Sequence, residues 1–189
     1  MFQHVQLPRG EPVAEIVKLA AAESIATQAI VARPHAKLEV VVNGAQLTGV
    51  QAAGGRWRDA GMLSTESAGL TEVEVPVSGR YEIRIRAFGD QAGDEPAKME
   101  FRIDDDSPKT VDVKATSRNP SYYSLRVDLQ EGRRRIGGAF VNDFYRPDHP
   151  LPSRRDRNLF LLSVEVRGPL GVAATGELSA SHSRLVFET

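Results

Sequence analysis

The sequence predicts an all-β protein: an antiparallel β-sandwich of jelly-roll type preceded by one N-terminal α-helix. Two observations carry the prediction. From Leu70 onward, apolar and polar residues alternate with a period of two, the mark of strands with one wet face. Short turns join these segments and no helical stretch intervenes, which excludes parallel βαβ architectures. Roughly eight such strands suit two packed sheets better than a small barrel.

Taken in order, residues 1–10 read as a lead-in. From Glu11-Pro12 to Arg33 the pattern is helical: Pro12 suits a first turn, and Val13, Ile16, Leu19, Ala26 and Ile30 recur at helical spacing. Arg33-Pro34 ends the helix. Lys37–Val42 is a strand and Asn43-Gly44 a turn. Residues 44–69 are rich in small residues, with weak strand signals around Trp57 and Met62-Leu63. Val73, Val75 and Val77 then alternate with Glu72 and Glu74, and Tyr81, Ile83, Ile85 and Ala87 with Glu82, Arg84 and Arg86. Met99, Phe101 and Ile103 follow the loop 89–96. An acidic turn at Asp104-Asp105-Asp106 leads to Val111 and Val113, then Leu125, Val127 and Leu129, then Ile136 to Val141, and finally Phe160, Leu162, Val164 and Val166. The expected organisation is a helix and linker over 1–36, a sandwich over 37–167, and a tail over 168–189. Such a helix must bury its apolar stripe against the sandwich or against another domain, so the chain reads as a piece excised from a longer protein.

Lys and Arg number 24 against 25 Asp and Glu, a formal charge of −1, so no global field steers the chain to nucleic acid or an anionic membrane. Arg133-Arg134-Arg135 is short and reads as a solvated strand face. The absence of cysteine excludes disulfides, thiolate metal sites and a thiol nucleophile. No signal peptide or membrane span is visible. The four histidines are scattered, and no hydrolase elbow, phosphate loop or dinucleotide glycine pattern occurs, so no enzymatic activity is expected. Asp104-Asp105-Asp106 lacks the glycine and terminal glutamate of an EF-hand and reads as a solvated turn.

The candidate site is formed by Ala139-Phe140-Val141-Asn142-Asp143 and Arg155-Asp156-Arg157-Asn158-Leu159, separated by the proline-, aromatic- and charge-rich stretch 144–154. That stretch is too polar and proline-broken for a strand or helix. Acids at two strand ends flanking a long loop can line an oxygen-rich cation site. The commoner use of such residues is structural, with Asn142 and Asp143 in Asx turns and Asp156 paired with neighbouring arginines, and the residues alone favour it over a metal. Phe144-Tyr145, Tyr122-Tyr123 and Trp57 lie near loop edges, where aromatic faces can stack on sugar rings. Phe144-Tyr145, beside the acid, has the strongest claim, whereas Tyr123 reads as core.

Arg86–Met99, Phe140-Val141-Asn142-Asp143 and Arg155–Leu159 together resemble the calcium-dependent, xylan-binding carbohydrate-binding modules of families thirty-six and sixty. The closer resemblance is to the form embedded in large planctomycete-type multidomain proteins with cytochrome-c-like domains. The resemblance implies a non-catalytic, Ca²⁺-dependent polysaccharide-binding module of an exported (periplasmic or extracellular) bacterial protein. It assigns the metal to Asp143 and Asp156, with the Arg155 carbonyl and Asn142 beside them. Around that site it implies sugar contacts from Phe144, Tyr145, Asp148, Arg157 and Asn158. Residues 144–155 are longer than the family's loop, leaving Asp148 or Tyr145 to rebuild the site or the loop to cover it. The alternative role is a structural domain that docks neighbouring redox domains without binding sugar.

Overall fold

The computed structural model describes residues 37–171. The expected helix over 12–32 and most of the expected tail lie outside the described residues. Twelve strands occur among the described residues: β1 (Leu38–Asn43), β2 (Gln51–Ala52), β3 (Gly61–Leu63), β4 (Ser67–Val75), β5 (Gly79–Gly89), β6 (Ala97–Ile103), β7 (Asp106–Val113), β8 (Ser121–Leu129), β9 (Gly132–Phe140), β10 (Phe144–Tyr145), β11 (Asp156–Arg157) and β12 (Leu159–Gly168). They form a six-stranded sheet in the order β2-β3-β12-β5-β8 with β1 also on β12, a four-stranded sheet β4-β9-β6-β7, and a β10-β11 ribbon. All the pairings are antiparallel. The predicted antiparallel sandwich is present.

The period-two pattern drives this. Tyr81, Ile83, Ile85 and Ala87 of β5 and Val164 and Val166 of β12 share one buried cluster with Met99, Phe101 and Ile136 of the other sheet. Water is excluded on both sides of this layer, so truncating one of these large side chains to Ala costs about 2–5 kcal/mol. The sheets approach closely at Gly138, where an added Cβ would lie 3.3 Å from Ile85 Cδ1. Outward-facing residues of the four-stranded sheet pair in solvent, as Arg133 does with Glu72 and Arg135 with Asp105. The arginine run is thus a solvated face. The Asp104-Asp105 turn is equally local: Asp104, at φ 53°, takes the Arg135 amide and the Arg134 guanidinium.

Three expectations need correction. Asn43-Gly44 opens a short 3₁₀ helix, Gly44–Gln46, and Gln46 Oε1 accepts the Asn43 amide hydrogen. The β4 strand begins at Ser67 and not at Leu70, because Gly69 must be small: an added Cβ would sit 2.7 Å from Val50 Cγ1 and 2.9 Å from Leu161 Cδ1. The stretch 144–154 does contain regular structure, namely β10 and a 3₁₀ turn Pro152–Arg154 with proline at its start. Phe144 pairs with Arg157 and Tyr145 with Asp156, folding the long loop into a ribbon.

Candidate functional site

One end of the sandwich is organised by Arg157, which is only 5% exposed. Its Nε and Nη2 donate to the Ala92 carbonyl at 3.0 and 2.7 Å, and its Nη1 donates to the Asn142 carbonyl at 2.8 Å. The guanidinium also lies 5.2 Å from the centroid of the Phe144 ring. One side chain therefore ties the β10-β11 ribbon, the segment after β9 and the β5–β6 loop together. A buried guanidinium without an ion pair among the described residues is tolerated only when carbonyls and an aromatic face replace its hydration.

The β5–β6 loop is fastened at four points. Gln91 Nε2 lies within 3.1 Å of the Gly89, Val113 and Ala115 carbonyls. Arg157 holds Ala92, and the Asn142 carboxamide spans Pro96 O and Lys98 N at 2.9 and 2.7 Å. The Asp90 amide donates to the Asn158 carbonyl at 2.9 Å. Gly93 makes the tight approach possible: its φ is +71°, and an added Cβ would lie 3.0 Å from Arg157 Nη2 and 3.2 Å from the Phe144 ring.

This scaffold brings two carboxylates together. The Nδ2 of buried Asn158 donates to Asp90 Oδ2 at 3.3 Å and to Asp156 Oδ2 at 3.2 Å. Asn158 Oδ1 is buried with no hydrogen-bond partner among the described residues. Burial holds the Asp90 carboxyl above its ordinary range; the Asn158 hydrogen bond opposes that shift and repulsion from Asp156 adds to it. No three Asp, Glu or His side chains among the described residues converge closely enough to hold a metal ion by themselves. Any cation here would need backbone, solvent or ligand oxygens beyond the Asp90–Asp156 pair.

The other predicted residues occupy distinct places. Asp143 and Asp148 are exposed, and Tyr145 is 69% exposed beside Asp156 in the ribbon. Phe144 is half-buried against Arg157. The Arg155 carbonyl accepts the Arg146 amide at 2.6 Å, and its Nε donates to the His149 carbonyl at 2.7 Å. Arg157 and Asn158 act from beneath the surface, positioning loops and carboxylates. Sequence reasoning missed Asp90. It stands one residue past β5, inside the stretch that carried the resemblance, and only the fold places it beside Asp156.

Comparison with known proteins gives one matching family model and a set of likenesses in fold. The model of the Ca-dependent, xylan-binding carbohydrate-binding module family, CBM60, matches residues 82–177, which include Asp90, Asp156 and Arg157. The chain is similar in fold to the CBM36-1 domain of a multidomain xylanase from the hindgut metagenome of Trinervitermes trinervoides. That likeness has a TM-score of 0.50 at 15% identity and covers 69% of this chain and 98% of that one. A family 35 carbohydrate-binding module from an environmental isolate gives 0.49 at 13% identity, covering 69% and 93%. A CBM36 module in complex with calcium and xylotriose gives 0.47 at 14% identity, covering 67% and 98%. No curated protein matches.

Proposed function

The chain belongs to the CBM60 family of carbohydrate-binding modules, and we propose that it binds a xylan-type polysaccharide through Ca²⁺ held by Asp90 and Asp156. The observation that carries this reading is the convergence of the two carboxylates on Asn158 Nδ2, in a chain of a calcium-dependent family. The donor set suits the ion: the two carboxylates offer hard oxygens, the Asn158 amide between them carries an oxygen with no partner among the described residues, and the loop rim carries further carbonyls. Two carboxylates drawn this close repel each other, and an intervening cation removes that cost. When bound, Ca²⁺ supplies open coordination positions that vicinal sugar hydroxyls can fill.

The remaining work belongs to the chain itself. Arg157, Gln91 and Asn142 hold the rim rigid, so little ordering is required when ligand arrives. Tyr145, exposed beside Asp156, offers a face for a sugar ring. Extending the β10-β11 register by one step sets Asp143 opposite Asn158, which keeps Asp143 as a third candidate ligand. In this reading the module acts without catalysis, as part of a larger exported protein.

Calorimetry of the protein with Ca²⁺ and a xylo-oligosaccharide tests the reading. Tight binding of the neutral oligosaccharide should require Ca²⁺, and chelator, Asp90→Ala or Asp156→Ala should each weaken it by about a hundred-fold or more while both variants remain folded. Asp143→Ala then distinguishes a ligand from a bystander. Binding of the neutral oligosaccharide at undiminished affinity in chelator, or in Asp156→Ala, overturns the proposed site.

A further inference from the structure

A second concavity lies on the outer face of the six-stranded sheet. Strand register alone sets its floor: Asn43 of β1 is opposite Ser163 of β12, Ser163 is opposite Arg86 of β5, and Arg86 is opposite Tyr122 of β8. The four side chains form one row across four strands, because residues opposite each other in an antiparallel pair project to the same face. A short 3₁₀ helix, Gly55–Trp57, builds one wall. Its Trp57 packs 5.0 Å from Phe88, and Phe88 stacks on Phe160 at 4.4 Å with an interplanar angle of 7°. The cavity measures about 340 Å³ and is also lined by Asp59 and Glu165. Tyr122, at the far end of the row, is 48% exposed.

Charge pairing sets Arg86 apart. Glu165 lies 3.5 Å from Arg84 and 3.3 Å from Arg167, while Glu82 takes Arg126 at 3.7 Å. Arg86 makes no ion pair or hydrogen bond among the described residues; its guanidinium lies 5.9 Å from the Tyr122 ring centroid. Arg56 is engaged otherwise, donating to the Ser117 carbonyl at 2.7 Å and covering the Trp57 ring at 5.0 Å. A half-buried guanidinium on a concave floor, without a carboxylate partner, is matched by an external carboxylate, which it can hold bidentately. Around it stand the Tyr122 ring, which the Arg84 guanidinium covers at 4.3 Å while about half of the residue stays exposed for a sugar contact, and an amide, a hydroxyl and the Asp59 carboxylate for sugar hydroxyls.

We infer that this trench is a second, calcium-independent site for an acidic sugar, a hexuronate residue carried by a polysaccharide chain, whose carboxylate pairs with Arg86 while Tyr122 contacts the ring. The ligand's sugar nature rests on the carbohydrate-binding reading, but the site shares no residue with the Asp90–Asp156 rim.

The test titrates the protein, with chelator present, using xylotriose carrying one glucuronic acid and the same oligosaccharide with its carboxyl reduced to an alcohol. The acidic probe should bind in chelator, about ten-fold tighter than the reduced one, and Arg86→Gln should remove that preference. Tyr122→Ala should weaken both probes, and Asp156→Ala should change neither. With Ca²⁺ present, neutral xylotriose binding should be untouched by Arg86→Gln. Absence of binding in chelator, equal affinity for the two probes, or indifference to both Arg86→Gln and Tyr122→Ala would overturn the second site. Loss of calcium-dependent xylotriose binding in wild type, with the trench intact, would instead overturn the rim.

Discussion

The rim around Asp90 and Asp156 and the trench around Arg86 are built by different means. Side chains reaching backbone carbonyls far away in sequence make the rim: Arg157 grips Ala92, Gln91 grips Val113 and Ala115, and Asn142 grips Pro96. The floor of the trench needs none of that, because sheet register places its row and alternation turns it outward; only the Gly55–Trp57 wall has such a tie, from Arg56 to the Ser117 carbonyl. A rim of this kind is brittle, since one residue can release several loops at once. A sheet face loses only what the altered side chain itself contributed.

Arg157→Ala should have the largest effect. It would leave the Ala92 and Asn142 carbonyls without their donor and remove the partner of the Phe144 ring. Unsatisfied buried groups of this kind cost about 1–3 kcal/mol each, so a total near 3 kcal/mol is expected in urea unfolding, with calcium-dependent sugar binding abolished. Arg157→Lys should recover only part, because an ammonium cannot reach both carbonyls in a fixed fork. If Arg157→Ala unfolds like wild type, the rim is not brittle and the contrast fails.

Asp156→Ala and Asp90→Ala come next: binding is lost while the core, lying elsewhere, stays folded. Ca²⁺ should raise the melting temperature of wild type, by about 2.7 kcal/mol of stabilisation at a hundred-fold excess over Kd, and leave Asp156→Ala unmoved. Differential scanning with and without chelator reads this directly. A Ca²⁺ shift that survives in Asp156→Ala would move the cation away from the rim.

Gly93→Ala should be smaller again. Its φ of +71° disfavours any side chain, and the new methyl would press on Arg157 Nη2 and the Phe144 ring. A cost of about 1–2 kcal/mol and weakened calcium affinity are expected, without complete loss. Equilibrium unfolding together with a Ca²⁺ titration checks it.

The same contrast explains what the sequence could show. Alternation exposed β5, β6 and β8, whose inward residues meet the core while most of their neighbours face water. In β12 it held only for Val164 and Val166: the irregularity between Leu161 and Ser163 puts Leu159 and Leu161, not Phe160 and Leu162, in the core. It failed at Ser67-Ala68-Gly69, where close packing of Val50, Leu47 and Leu161 leaves no room for a side chain at Gly69 and the apolar residue the pattern needs is missing. It also failed at Phe144-Tyr145, whose two-residue pairing depends on Arg157 being anchored elsewhere. Asp156 was legible as an acid beside a strand. Asp90 was not, because it meets Asp156 only through Asn158, 68 residues away in sequence. The family resemblance set Asn142 beside the metal, whereas the fold engages its carboxamide with Pro96 and the start of β6.

The smallest effect should come from the ion pair on the rim's own loop. Lys98 Nζ lies 2.7 Å from Glu95 Oε2, and each holds the other's charge: the Glu95 carboxyl is lowered and the Lys98 ammonium raised, chiefly by their mutual hydrogen bond. Both are solvated, so water and salt screen most of that attraction. Any stability they lend is present above the unfolded glutamate's pKa and falls away as pH drops through the lowered Glu95 range. At the alkaline end it persists below the unfolded lysine's pKa and is lost as pH rises through the raised Lys98 range. Glu95→Gln at neutral pH should therefore leave the melting temperature and calcium affinity within error of wild type. The loop's anchors do not involve this pair: Gln91 holds its start and the Asn142 carboxamide its end, both through backbone groups. A marked loss of calcium affinity in Glu95→Gln, reversed by nothing but restored charge, would mean that the field of the loop matters more than its anchoring, and that the rim and the trench differ less than their construction implies.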